Sequence, residues 1–345
     1  MAGCKVAVIF GGPGAEHEVS RESALSVISN LREAGCEVQP VRVERSGEWC
    51  FPADAERPVS AAQAAVRLEG ARVDVAFPVV HGELGEDGRL CGLLRVLGIP
   101  LVGSGVRGSA YCIDKARCKK LLEGSGLELA ASVRVERWRF ERDASAALAA
   151  ARALSFPCVV KPIDHGSSVA VHWVQDVDVL PSAVERVFRE TRTEAALVEE
   201  AIEGQELTVA VLGNPETGLT ALPPILIRPR GRTVFDYEAK YTPGEAEEIC
   251  PAPLPGPLLE RVARDALRAF EVLECRGIAR ADFVVAAGRP FFLEMNTMPG
   301  FTAGSLVPLA ARTAGWSMPA FFLHLVELAR SPRAALRPRA RRQSA

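Results

Sequence analysis

Residues 278–296, IARADFVVAAGRPFFLEMN, concentrate side chains suited to chemistry. Two apolar segments flank an Ala-Ala-Gly-Arg turn, a β-hairpin signal. Side chains alternate along a strand, so Arg280 and Asp282 share one face, as do Glu294 and Asn296. A loop register centred on Gly288 sets Asp282 opposite Glu294 and Arg280 opposite Asn296. Two carboxylates and an amide then meet a guanidinium on one sheet face. Hard oxygen donors of this kind suit Mg2+, usually held by one or two carboxylates plus substrate phosphates. The plainer alternative is an exposed salt-bridge ladder. Against it, an Asn before a Pro-Gly turn is poor strand surface, and clustered carboxylates repel one another without a cation.

A second segment, FPCVVKPIDHGSSVAV at 156–171, ends a strand on Lys161 and continues into a loop with Gly166, Ser167 and Ser168. Backbone N–H groups and hydroxyls of such a loop can meet phosphate oxygens, with lysine as a point charge. No GxxxxGK[ST] loop occurs, and an ordinary surface turn explains this segment alone equally well. GSGVRG at 103–108 fits GxGxxG, but it closes a run of strands, whereas a dinucleotide fingerprint opens its βαβ unit. A helix-start turn is the better reading there. In FGGPGAEHEVS, Glu16 and Glu18 fall where a helix begins, a place that favours carboxylates for electrostatic reasons alone. His17 and His81 have no spacing that marks a metal pair.

The elements that must position these residues follow from periodicity. Strands are expected at 5–10, 38–43, 73–80 and 99–102, with helices at 17–34 and 88–97, hence an open parallel sheet over the first hundred residues. A helix at 104–124 follows, then another at 145–154, the strands PCVVKP and VAVHWV, and a further helix. From 198 the pattern turns to β-rich hairpins (ALVEEAIEG, ELTVAVLG, PPILIRP), followed by a helix at 257–273, the hairpin at 278–296 and a last helix at 319–330. The expected domains are 1–103, 104–197 and 198–330, with a solvated basic tail at 331–345.

Composition excludes several classes. With 41 Lys+Arg against 43 Asp+Glu, the chain has no global attraction for nucleic acid or anionic lipid. No apolar run approaches the roughly 18 residues a membrane span needs. The start, MAGCKVAVIFGG, lacks a signal-peptide layout. Nine cysteines without a CxxC pair read as reduced thiols of a cytoplasmic protein.

Taken in order, FGGPGAEHEVS, VVHGELGEDG, GSGVRGSAYCIDK, VVKPIDHGSSV, LVEEAIEGQELTV, FDYEAKYTPG, GIARADF and LEMNTMPGFTAGSLVP resemble the D-alanine–D-alanine ligases of the ATP-grasp superfamily, from about residue 4 to about 328. The resemblance implies an α/β ATP-grasp fold whose central and C-terminal domains clasp ATP. It implies Lys115 and Lys161 near the phosphates, with Lys240 also at the nucleotide. Glu199 and the backbone of Glu200 and Ile202 would meet adenine, and Glu206 the ribose. Asp282, Glu294 and Asn296 would hold two Mg2+ (or Mn2+), in agreement with the hairpin argument. Glu16 would hold the first D-alanine's ammonium, with His81 near its carboxyl end. Arg280 and the Gly300 N–H would stabilise the tetrahedral intermediate, and Ser305 would receive the second D-alanine's carboxylate. Ser167 and Tyr241 would lie on closing loops, 163–169 and 231–246, and link to Glu16. The family is commonly homodimeric and acts in peptidoglycan precursor synthesis, through a D-alanyl phosphate.

The phosphate loop departs from the family pattern with His165 and Ala170, the latter where glycine is more usual, and Glu200-Ala201 replaces a basic-aromatic pair of some relatives. Within the class, a D-alanine–D-lactate ligase is disfavoured by the retained Lys240 and Tyr241. A D-alanine–D-serine ligase stays open, because a hydrophobic pocket rejects one added hydroxyl only by about 10². A non-catalytic ATP-binding sensor is the rival from another class, opposed by the intact Arg280, Asp282, Glu294 and Asn296.

Overall fold

A computed structural model describes residues 3–52, 57–166, 169–229 and 246–330. The chain opens with β1 (Lys5–Gly11), α1 (His17–Glu33), β2 (Glu37–Val43), β3 (Trp49–Cys50), α2 (Ala61–Gly70), β4 (Val75–Pro78) and α3 (Arg89–Val96). Their sheet runs β3-β2-β1-β4, with β1 parallel to both neighbours and β3 antiparallel at the edge. β1 is an apolar run because a central parallel strand is covered on both faces. Gly11 ends it at φ +92°, where a Cβ would lie 2.2 Å from the Val43 carbonyl oxygen, so the chain can turn toward α1 only with glycine here. α1 buries Ser20, Ser23, Ala24, Val27, Ile28 and Leu31, the three-to-four spacing of one helical face. The strand expected at 99–102 is a single bridge between Leu101 and Ala76. α2 was not anticipated, although its Ser60/Gln63 capping box is a readable start signal.

The expected helix over 104–124 is two helices, α4 (Val106–Ile113) and α5 (Lys115–Leu122). Asp114 breaks it with an extended ψ of 93°, and its carboxylate accepts the Arg117 N–H to cap α5. Next come β5 (Glu128–Leu129), β6 (Ser132–Glu136), α6 (Arg137–Arg142), α7 (Ala144–Leu148), β7 (Cys158–Pro162), β8 (His172–Val174), α8 (Leu180–Glu190) and β9 (Ala195–Glu200). The helix expected at 145–154 is thus reduced to α7 and one 3-10 turn, and the strand VAVHWV to its last three residues. The second sheet is antiparallel, β6-β9-β7-β8, and α8 packs Val184, Val187 and Phe188 against it.

The remainder comprises β10 (Gln205–Asn214), β11 (Gly218–Ala221), β12 (Ile225–Pro229), β13 (Ala246–Ile249), α9 (Gly256–Val272), β14 (Gly277–Ala286), β15 (Arg289–Asn296), α10 (Leu306–Thr313) and α11 (Met318–Ala329). The third sheet runs β13-β12-β10-β14-β15-β5, with β11 paired to β10. β9 therefore forms no hairpin with β10; it belongs to the second sheet and crosses position 198. The first sheet is tied to the end of the chain by aromatic packing, Phe77 against Phe301 at 5.6 Å and Phe301 against Phe322 at 5.6 Å between ring centroids. Each such fully buried ring contributes roughly 1.5–3 kcal/mol, which holds the loop before α10 against β4. All nine cysteines are free thiols. Among the described residues no helix is long and apolar enough to cross a membrane.

Candidate active site

The hairpin is the site's scaffold. Ala286 pairs with Arg289, which leaves Ala287 (φ 48°) and Gly288 (φ 74°) as a two-residue turn with positive φ at both positions. The register is therefore centred between these two residues, not on Gly288. Carried to the strand ends, that register would set Asp282 against Leu293 and turn Glu294 toward the buried face of Ala281. Instead the pairing shifts between Asp282 and Phe283: Phe283 opposes Phe292, while Asp282 opposes Glu294 and Arg280 opposes Asn296. Leu293 is the extra residue, a β-bulge that re-aims the carboxylate beyond it. The expected pairing is present, produced by a bulge.

Each carboxylate meets a cation. Arg280 donates from Nε and Nη2 to Asp282 at 2.9 and 2.8 Å, and Thr208 Oγ1 donates to Asp282 Oδ1 at 2.5 Å. Lys115 Nζ lies 3.1 Å from Glu294 Oε2 and donates to the His165 carbonyl at 2.7 Å. Among the described residues no group of three or more His, Cys, Asp or Glu is placed to hold a metal ion. The hairpin offers two carboxylates and an amide, which fits a hard cation that shares its coordination with phosphate oxygens. The Asn296 amide oxygen also accepts the Met298 N–H at 3.1 Å.

Lys115, His165, Arg280, Asp282 and Glu294 open onto a cleft of about 420 Å³ between the second and third sheets, whose lining does not include Asn296; the size is in the range of small-molecule sites. Asp282, Leu293 and Glu294 line one wall; Val159, Lys161 and Trp173 line the other. Trp173 pairs with Val159 across β7 and β8, so the two share the cleft face. Glu199, Glu200, Ile202 and Glu206 line the same cleft. The Glu200 N–H is taken by the Ala131 carbonyl, and its carboxylate by the Ser155 N–H. Glu199 is buried between Lys161 and Lys119. Burial alone would raise its carboxyl; Lys119 and then Lys161 outweigh it and hold the group below its ordinary range.

The other expected residues meet at the first sheet. Glu16 sits at the start of α1 and makes no side-chain capping bond. Its Oε2 would be 3.2 Å from a Cβ on Gly82 and 3.6 Å from one on Gly166, so it lies between the two loops. His81 Nδ1 is 2.8 Å from the Met298 carbonyl, and its buried Nε2 has no hydrogen-bond partner among the described residues. A carbonyl only accepts, so Nδ1 carries the proton; burial lowers the imidazole's pKa and keeps it neutral. Nε2 is then an acceptor, which suits an ammonium or hydroxyl donor better than a carboxylate. A Cβ on Gly300 would lie 2.8 Å from Ser305 Oγ, so glycine is what lets the Ser305 hydroxyl come this close. Thr302 N–H donates to that hydroxyl at 3.1 Å, and Phe301 N–H donates to Ser23 Oγ of α1 at 3.1 Å.

Ser167, Lys240 and Tyr241 lie outside the described residues. Sequence reasoning missed Glu86, Lys119, Thr208 and Trp173. Glu86 accepts the N–H groups of Gly82 at 2.8 Å and Met298 at 3.1 Å. Burial, then the charge of Glu16, pushes its carboxyl up to about 7. The sole sequence signal for Glu86 was its place in VVHGELGEDG, because Met298 is far along the chain.

An antiparallel sheet and a mostly antiparallel one closing on a cleft, with a carboxylate-bearing hairpin on one wall and lysines on the other, define the class as an ATP-grasp ligase. Comparison with known proteins narrows this. Residues 5–104 match the family profile described as D-ala D-ala ligase N-terminus, and residues 121–327 match D-ala D-ala ligase C-terminus. The chain is 41% identical over 325 residues to the D-alanine–D-alanine ligase of Desulforudis audaxviator, covering 94% of this chain and 98% of the relative. It is 36% identical to that of Deinococcus radiodurans over 335 residues, 94% and 98% of the two chains. Its fold is similar to the D-alanine–D-alanine ligase of Coxiella burnetii (TM-score 0.79, 27% identity, 97% and 95% coverage). It is similar also to the VanG D-Ala:D-Ser ligase of Enterococcus faecalis (TM-score 0.78, 30% identity, 94% and 99% coverage). The chain belongs to the D-alanine–D-alanine ligase family, whose ATP-dependent joining of two D-alanines makes a precursor of peptidoglycan.

Proposed function

We propose that the cleft between the second and third sheets binds ATP and that a D-alanine carboxylate oxygen attacks its γ-phosphoryl group. The D-alanyl phosphate so formed is attacked by the second amine, which expels phosphate. The observation that carries this reading is the bulged hairpin, which sets Asp282, Glu294, Asn296 and Arg280 on one face opposite Lys115 and Lys161.

Lys115 and Lys161 hold the phosphates, Glu199, Glu200 and Ile202 the adenine, and Glu206 the ribose, with Lys240 also at the nucleotide. Asp282, Glu294 and Asn296 would hold Mg2+, which when bound neutralises charge on the transferring phosphoryl group. Glu16 takes the first D-alanine's ammonium. The acceptor Nε2 of His81 supports placing that residue beside the ammonium as well. Arg280 and the Gly300 N–H act as the oxyanion hole, where losing one donor typically costs about 10²–10³ in rate. Ser305 receives the second carboxylate. Ser167 and Tyr241 close loops over the intermediate, since an acyl phosphate hydrolyses in open water. The units 1–103, 104–197 and 198–330 act as three domains, and the protein works as a cytoplasmic homodimer.

Phosphate release with ATP and D-alanine, D-serine or D-lactate as acceptor, with products identified by mass, tests the reading. The dipeptide of D-alanine is the expected main product. A D-lactate or D-serine product in excess would move the acceptor assignment, and no release with any acceptor would leave a nucleotide-binding sensor or a different carboxylate substrate.

A further inference from the structure

Glu199 carries two lysines, and they differ in what else they can reach. Lys161 Nζ donates to Glu199 Oε2 at 2.7 Å, and both residues line the cleft. Lys119 pairs with the other carboxylate oxygen, donates to the Phe292 carbonyl of β15 at 3.2 Å, and is not among the lining residues. Side-chain exposure is 5% for Lys119, 4% for Glu199 and 13% for Lys161. One carboxylate between two ammoniums leaves a surplus positive charge in a buried cluster. An uncompensated buried charge is costly, so the cluster favours an anion at its open side, where Lys161 stands.

We infer that Lys119 is a positioning residue for the nucleotide: it serves as the permanent counter-ion of Glu199 and so frees Lys161 to bind the phosphates. Without it, Glu199 and Lys161 form a closed neutral pair, and Lys161 must leave that partner before it meets a phosphate oxygen. The inference rests on the reading that ATP phosphates enter this cleft. Lys119 touches neither nucleotide nor amino acid; it acts through Glu199 and, by its bond to Phe292, ties α5 to the strand that carries Glu294.

The test is calorimetric binding of ATP and of adenosine to the full-length protein, with steady-state kinetics alongside. The readout is the adenosine-to-ATP ratio of dissociation constants, which isolates what the phosphates add. Lys119→Met should shrink that ratio roughly ten- to a hundredfold, the worth of one charged hydrogen bond, and leave KM for D-alanine within about twofold. Lys119→Met/Glu199→Gln restores the wild-type net charge of the cluster and should return the ratio to within about threefold of wild type. This double variant also serves if the single one does not fold. An unchanged ratio in Lys119→Met would overturn the inference. So would a double variant whose ratio stays as low as that of Lys161→Met, because Lys119 would then be merely structural. If Lys161→Met itself leaves the ratio at the wild-type value, the location of the phosphates is what fails.

Discussion

Ala170 holds its backbone at φ 52°, in the left-handed region that costs an L-residue about 1–2 kcal/mol and glycine almost nothing. This departure from the family pattern at Ala170 is therefore a strained one. Glycine would release that strain but enlarge the unfolded ensemble by about 0.4–1 kcal/mol, so Ala170→Gly should stabilise by up to about 1 kcal/mol in urea titrations. A loss of stability would show that the strain is absent. Glu86 gives a pH-dependent prediction. Its folded-state pKa is about 7 against an ordinary 4.5, so between these values the folded chain binds more protons than the unfolded one. Its stabilising contribution, full at low pH, is lost as pH rises through this window, by at most about 1.4 kcal/mol per pH unit. Denaturation of wild type and Glu86→Gln across pH 4 to 8 should give curves that diverge within that window; parallel curves would contradict the assignment.

Among the elements, the hairpin was legible because alternation and a Gly-containing turn are local signals. The bulge at Leu293 was not, since nothing in FFLEMN distinguishes the residue that will go unpaired; cross-strand packing decides it. Sheet membership was equally hidden: β9 reads like the partner of β10 but pairs with β6 and β7. The helix over 104–124 failed at Asp114, whose capping signal lies inside an otherwise helical run. Lys119 is one lysine in KARCKK, and only the fold tells it from the exposed Lys120 beside it. α1 is more than a cover for the first sheet. Ser20 Oγ donates to the Val79 carbonyl at 2.6 Å, and Ser23 Oγ holds the Phe301 N–H, so one helix face fixes both the loop that follows Val79 and the loop at Phe301. Ser23→Ala leaves that buried N–H without its acceptor, a cost of about 1–3 kcal/mol. Thermal unfolding of the variant should show the loss, with the KM for D-alanine raised; unchanged values in both would mean that the loop is held by its aromatic contacts alone.

For the molecule as a whole, motif order along the chain gave the family, while the geometry of the cleft comes from contacts between segments far apart in sequence. His81 and Glu86 meet the loop at 298 from the first sheet, and Lys115 and Lys119 meet β15 from α5. These long-range pairs bring the residues proposed for the amino acid and for the nucleotide to one place, and no periodicity encodes them. In the proposed reaction a carboxylate oxygen of D-alanine is phosphorylated within this assembly before the peptide bond forms. D-Alanine labelled with 18O in its carboxylate tests it directly, read by the mass of the phosphate released during turnover with ATP. Phosphate carrying one 18O for each dipeptide made is the expected result. Unlabelled phosphate accompanying dipeptide formation would contradict it.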